Sequence, residues 1–77
     1  MRIYQKINET KEKVIYEYLW GDYKKPFTGL IEINKKKESA SVLKIAEGDN
    51  RPQLAGAYAL YTLPKCNYPN RYTHTGS

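Results

Sequence analysis

Val14-Ile15-Tyr16-Glu17-Tyr18-Leu19-Trp20, the turn signal Gly21-Asp22, and then Phe27-Thr28-Gly29-Leu30-Ile31-Glu32-Ile33 form the stretch that decides the fold. Both runs are rich in β-branched and aromatic residues, which suit a pleated, half-buried surface, and the glycine-bearing turn between them marks a hairpin. Setting Trp20 against Phe27 places Tyr18 opposite Gly29, Tyr16 opposite Ile31 and Val14 opposite Ile33. One face is then aromatic or aliphatic throughout, apart from a glycine beneath a tyrosine ring, an arrangement that covers exposed backbone. A slip of one residue would divide these side chains between opposite faces, so the register is strongly specified.

On the C-terminal side, polar Asn34-Lys35-Lys36-Lys37-Glu38-Ser39 leads into Ser41-Val42-Leu43-Lys44-Ile45-Ala46, a further strand whose parity assigns Leu43 and Ile45 to the aromatic face. On the N-terminal side, Ile3-Tyr4-Gln5-Lys6-Ile7 reads as an edge strand. Short polar connections make these runs an antiparallel meander of three to four strands. Asp49-Asn50-Arg51-Pro52 then reads as a helix start, with a capping Asp or Asn and proline in the first turn, where its missing N–H costs nothing. The helix runs from Gln53 to Leu63 with Leu54, Tyr58 and Tyr61 at i, i+4 and i+7, and Pro64 ends it. Its Ala55, Gly56 and Ala59 are small enough to let it sit close on the sheet. The fold class expected is α+β: one ββββα domain over residues 1–63, and an irregular tail over 64–77 pinned by Tyr68 and Tyr72.

The chain has 77 residues, room for a single core. Six Ile, six Leu, two Val and one Phe are a thin aliphatic supply for a net charge of +5, and the eight Tyr and one Trp must make up the difference. Each buried ring removes roughly 150–250 Å² from water, so the core is expected to be built on aromatics. No apolar run approaches the length of a membrane span or a signal peptide, and a cytoplasmic, soluble protein is expected. The Lys-, Ile-, Asn- and Tyr-rich usage fits an AT-rich bacterial or phage genome.

Composition also sets chemistry aside. The single cysteine, Cys66, forbids an intrachain disulfide, and the single histidine, His74, has no partner at zinc-ligand spacing. Both lie in the tail, away from the rigid elements that a Cys–His pair needs. Glu17 and Glu32 are diagonal neighbours on adjacent strands, but no cleft-forming elements surround them. No phosphate-cradling glycine loop or calcium loop occurs. A non-enzymatic protein without metal or cofactor is expected.

Two surfaces remain. The sheet face opposite the aromatic one carries Ile15, Glu17 and Leu19, then Leu30 and Glu32, then Val42 and Lys44, with Ala46 beyond. One helix cannot cover both faces, so the second is to be covered by the tail, by a second copy in a homodimer or by a protein partner. These seven residues from Ile15 to Lys44 are the expected protein-contact surface. The alternative is nucleic acid, suggested by a pI near 9.4, with Lys24, Lys25, Lys35, Lys36, Lys37 and Arg51 on phosphates and Tyr23 stacking.

Overall fold

A computed structural model describes residues 1–75. The strands are β1 (Arg2–Glu9), β2 (Lys13–Trp20), β3 (Gly29–Asn34) and β4 (Ser39–Lys44), followed by helix α1 (Pro52–Thr62), a 3₁₀ turn (Pro64–Cys66) and β5 (Arg71–His74). They form one antiparallel sheet in the order β4-β3-β2-β1-β5, with α1 packed on one face. The expected α+β meander is thus present with one strand more. The tail is not irregular: Asn67 and Tyr68 turn the chain with positive φ, and β5 pairs alongside β1, so that β1 is an interior strand.

The β2–β3 register is the one the apolar pairs require: Val14 opposite Ile33, Tyr16 opposite Ile31, Tyr18 opposite Gly29. The ladder stops at Gly29. Pro26 has no N–H to offer it, and Asp22 ties down the loop by accepting from the backbone N–H groups of Lys24 and Lys25. Phe27 consequently does not face Trp20. Its ring lies 5.8 Å from the Arg71 guanidinium carbon, on the face away from the helix.

The phase of β4 is the opposite of the one its own alternation suggests. The Lys35–Glu38 turn, closed by Asn34 accepting from the N–H groups of Lys36 and Lys37 and by Glu38 at φ 51°, sets Ser39 opposite Asn34. Ala40 and Val42 therefore meet Ile33 and Ile31 on the helix side. A bulge at Leu43 then returns Lys44 to the other face, opposite Leu30. Leu43 and Ile45 are 54% and 55% exposed rather than part of the core, while Ala46 is buried within it.

The core is aromatic, as the composition requires. Tyr4, Val14, Tyr16, Tyr18, Ile31 and Ile33 of the sheet pack against Ala55, Ala59 and Leu63. Each buried phenol finds an acceptor: Tyr4 donates to the Ala55 carbonyl at 2.9 Å, Tyr16 to the Pro69 carbonyl at 2.7 Å and Tyr18 to the Asp49 carboxylate at 3.0 Å. Burial pushes all three phenols above their ordinary pKa, so they remain donors. The helix uses its small face, Ala55, Gly56 and Ala59; Tyr61 of the expected apolar stripe is 67% exposed. Pro52 opens α1, but Asp49 does not cap it. The Asp49 carboxylate instead accepts from the Arg51 N–H (3.0 Å) and from the buried Arg2 guanidinium (3.2 Å).

Two glycines on this face give opposite expectations. A methyl at Gly29 would overlap the Tyr18 ring, so Gly29→Ala is expected to cost about 1–3 kcal/mol. A methyl at Gly56 would make ordinary contacts with Val42 at 3.5 Å and Ala40 at 3.9 Å while relieving a helix interior of glycine. Gly56→Ala is expected to stabilise by about 0.5–1 kcal/mol. Asp49→Ala leaves the Arg2 charge buried without its partner, and a loss of about 3–5 kcal/mol is expected. Urea denaturation of the three variants against the parent checks all of these signs.

Candidate functional site

The face opposite the helix is divided in two. At one end Leu19 and Ile3, paired across β2 and β1, are 1% and 3% exposed. Phe27 reaches Arg71 over this end of the sheet, so the β2–β3 loop crosses the face there and closes it. The expected contact residue Leu19 is therefore buried and out of reach. Val42 is lost to the surface as well, because it packs on the helix side at Gly56. Ile15, Glu17, Leu30 and Glu32 remain together, half-buried, and Lys44 is exposed opposite Leu30. Glu32 pairs with Lys13 at 3.4 Å. This open end reaches β4, one edge of the sheet, where Leu43 is exposed, as is Ile45 just past the end of the strand.

The cations of the nucleic-acid reading are not brought together. Lys24, Lys25 and Tyr23 lie in the β2–β3 loop, at the end of the sheet where the Arg51 carbonyl accepts from Arg2. Lys35, Lys36 and Lys37 lie at the other end, in the β3–β4 turn, in a molecule 31 Å long. Lys35 is paired with Glu9 (2.8 Å) and Lys36 with Glu12 (3.3 Å). Tyr23 is exposed, with the Lys24 ammonium 6.0 Å from its ring centre.

Glu17 and Glu32 take the expected diagonal, Glu17 opposite Leu30 and Glu32 opposite Ile15. His74 stacks on Tyr58 with ring centres 4.3 Å apart, and Cys66 is exposed in the 3₁₀ turn. Among the described residues no group of three or more His, Cys, Asp or Glu is placed to hold a metal ion, and no helix is long and apolar enough to cross a membrane.

One concave site was not anticipated. A groove of about 550 Å³ opens between the end of α1, the 3₁₀ turn and the β3–β4 turn. Ala57, Leu60 and Pro64 form its apolar part. On one side the Lys65 ammonium stands 3.9 Å from the centre of the Tyr61 ring, and on the other the Lys35 ammonium stands 5.0 Å from that of Tyr68. Glu38 is the single acid on its wall. The i, i+4 spacing of Tyr61 and Lys65 across the helix end is the signal in the sequence that points here.

Lys35 is held at the groove by Glu9. A bulge at Ile7 leaves Asn8 opposite Ile15 and Glu9 opposite Val14, which turns Glu9 toward the helix side of the sheet. Its carboxylate accepts from Lys35 and, at 2.6 Å, from Lys6. These hydrogen bonds, that from Lys35 first, hold the Glu9 carboxyl down to about 2 from an ordinary 4.5.

No protein-family model, curated protein or solved structure significantly matches the chain.

Because the Glu9 pKa is depressed on folding, its contribution to stability is complete above pH 4.5 and disappears as the pH falls toward 2. A carbon-detected NMR titration is expected to place the Glu9 midpoint near pH 2, and Lys35→Gln is expected to move it upward.

Proposed function

We propose that this chain is a small non-enzymatic protein-binding module that pairs with a second copy of itself along β4 and the open end of the sheet beside it. The observation that carries the reading is the exposure of Leu43 on the edge strand β4 and of Ile45 just beyond its end, both more than half exposed, with half-buried Leu30 on the neighbouring β3 and Ile15 on β2 behind it. An edge strand offers a row of N–H and C=O groups to another strand, and natural sheets usually protect such edges. The opposite edge is protected: β5 is four residues long and carries Arg71 and His74. Edge β4 carries a single charge, Lys44, beside the exposed Leu43.

Charge supports a symmetric contact. The chain as a whole carries +5, which opposes self-association. Around the open end Glu17 and Glu32 are offset by Lys13 and Lys44, so two copies approach there without concentrating like charge. A two-fold axis beside β4 would bring the same patch of each copy together. The contact set on this reading is Ile15, Glu17, Leu30, Glu32 and Lys44, extended by Leu43 and Ile45.

Light scattering behind size exclusion tests this at low and moderate salt, with absorbance read at 260 and 280 nm. A dimer of about 18 kDa, twice the 9.0 kDa chain, is expected at both salts. Leu43→Lys is expected to give a folded monomer, because the side chain it replaces is exposed, and its melting temperature is expected not to rise with concentration as the dimer's does. A parent chain that is monomeric throughout overturns the proposal. So does a monomer that carries nucleic acid at low salt and sheds it at moderate salt, which would favour the basic loops instead.

A further inference from the structure

We infer that the groove between Tyr61 and Tyr68 is a binding site for a small amphipathic anion, a carboxylate with a compact aromatic or branched apolar body. Its volume of about 550 Å³ lies in the range of pockets that take one small molecule, roughly 300–1,000 Å³. Ala57 is the reason for its depth: an exposed helix position one turn before Tyr61 carries only a methyl group. Leu60 and Pro64 continue the apolar surface on which a ligand body would lie.

The sign of the ligand follows from what already occupies the rings. Tyr61 and Tyr68 would otherwise suit a cation, but the ammonium groups of Lys65 and Lys35 stand against them. Lys65 has no carboxylate partner among the described residues, so its charge is available to an incoming anion. Lys37 adds a second cation in the adjacent turn that has no carboxylate partner among the described residues, while Glu38 is the single acid among the described residues of the wall.

A small molecule fits better than an extended peptide. Backbone N–H groups along the groove wall are engaged within their own segment: Leu63 donates to Ala59, Cys66 and Tyr68 to Leu63, and Asn67 to Pro64. A peptide laid along this part of the wall would find those four donors already engaged, whereas one anionic head can be met by lysine side chains. The site is on the helix side of the sheet and does not depend on the interface proposed above.

Amide chemical-shift titration with 2-naphthoate, using 2-naphthamide as its uncharged counterpart, tests the inference. Saturable shifts at Ala57, Tyr61 and Lys65 are expected, with the amide binding at least about tenfold more weakly. Lys65→Gln is expected to weaken naphthoate about tenfold, the scale of one charge-assisted hydrogen bond. Ala57→Leu fills the groove from an exposed position and is expected to abolish the shifts while the spectrum stays dispersed. The inference is overturned by the absence of saturable shifts, by equal affinity for the naphthamide, or by naphthoate binding that Ala57→Leu leaves intact. It is also overturned in favour of nucleic acid if an oligothymidylate moves these amides and naphthoate does not displace it.

Discussion

The Arg2 guanidinium is buried, and the architecture around it exists to make that tolerable. An unpaired cation inside a small domain costs several kcal/mol. Here Nη2 donates to the Asp49 carboxylate and to the Arg51 carbonyl, each at 3.2 Å. The guanidinium carbon lies 4.5 Å from the Trp20 ring and 5.7 Å from that of Tyr58. The same Asp49 carboxylate accepts from Tyr18, whose hydroxyl accepts in turn from the Ala46 N–H at 3.2 Å. One ion pair thereby joins the start of β1, the middle and end of β2, the β4–α1 connection and the helix. Its directed bonds add to what a core thin in aliphatic side chains supplies.

The tyrosines extend the same logic. A helix whose buried face is Ala55, Gly56 and Ala59 contributes little apolar area of its own, so its position is fixed by what the sheet offers it. Tyr4 reaches the Ala55 carbonyl, and Tyr16 holds the segment after the 3₁₀ turn through the Pro69 carbonyl. Each ring fills space and ends in a directed bond, two tasks that a leucine cannot combine. The tail is drawn in this way to β1, and β5 forms there.

Both candidate sites arise from places where the regular pattern breaks. The Leu43 bulge lets Lys44 join the open face while Leu43 and Ile45 stay out of the core. The Ile7 bulge turns Glu9 toward Lys35, which fixes one cation of the groove. The groove itself lies where α1 gives way to the 3₁₀ turn at Pro64, the residue that denies the helix another turn.

What the sequence determined by itself was whatever a short-range rule over-specifies. The β2–β3 register was legible because only one alignment keeps Val14, Tyr16 and Tyr18 on one face opposite Ile33, Ile31 and Gly29. The helix was legible from Pro52, Pro64 and the alanines between them, and the aromatic core from composition. The phase of β4 belonged to the tertiary structure, because the geometry of the Lys35–Glu38 turn, and not the strand's own alternation, chooses which face receives Val42. Strand β5 was equally hidden: Arg71 to His74 has too little pattern to announce a strand and becomes one only beside the free edge of β1. Leu19 read as surface and Phe27 as core, and the loop that crosses the sheet buries the first and leaves the second half-buried on the opposite face. Lys35, Lys65, Tyr61 and Tyr68 lie in four different segments, and a groove among them comes into being only when the chain after the helix folds back on it.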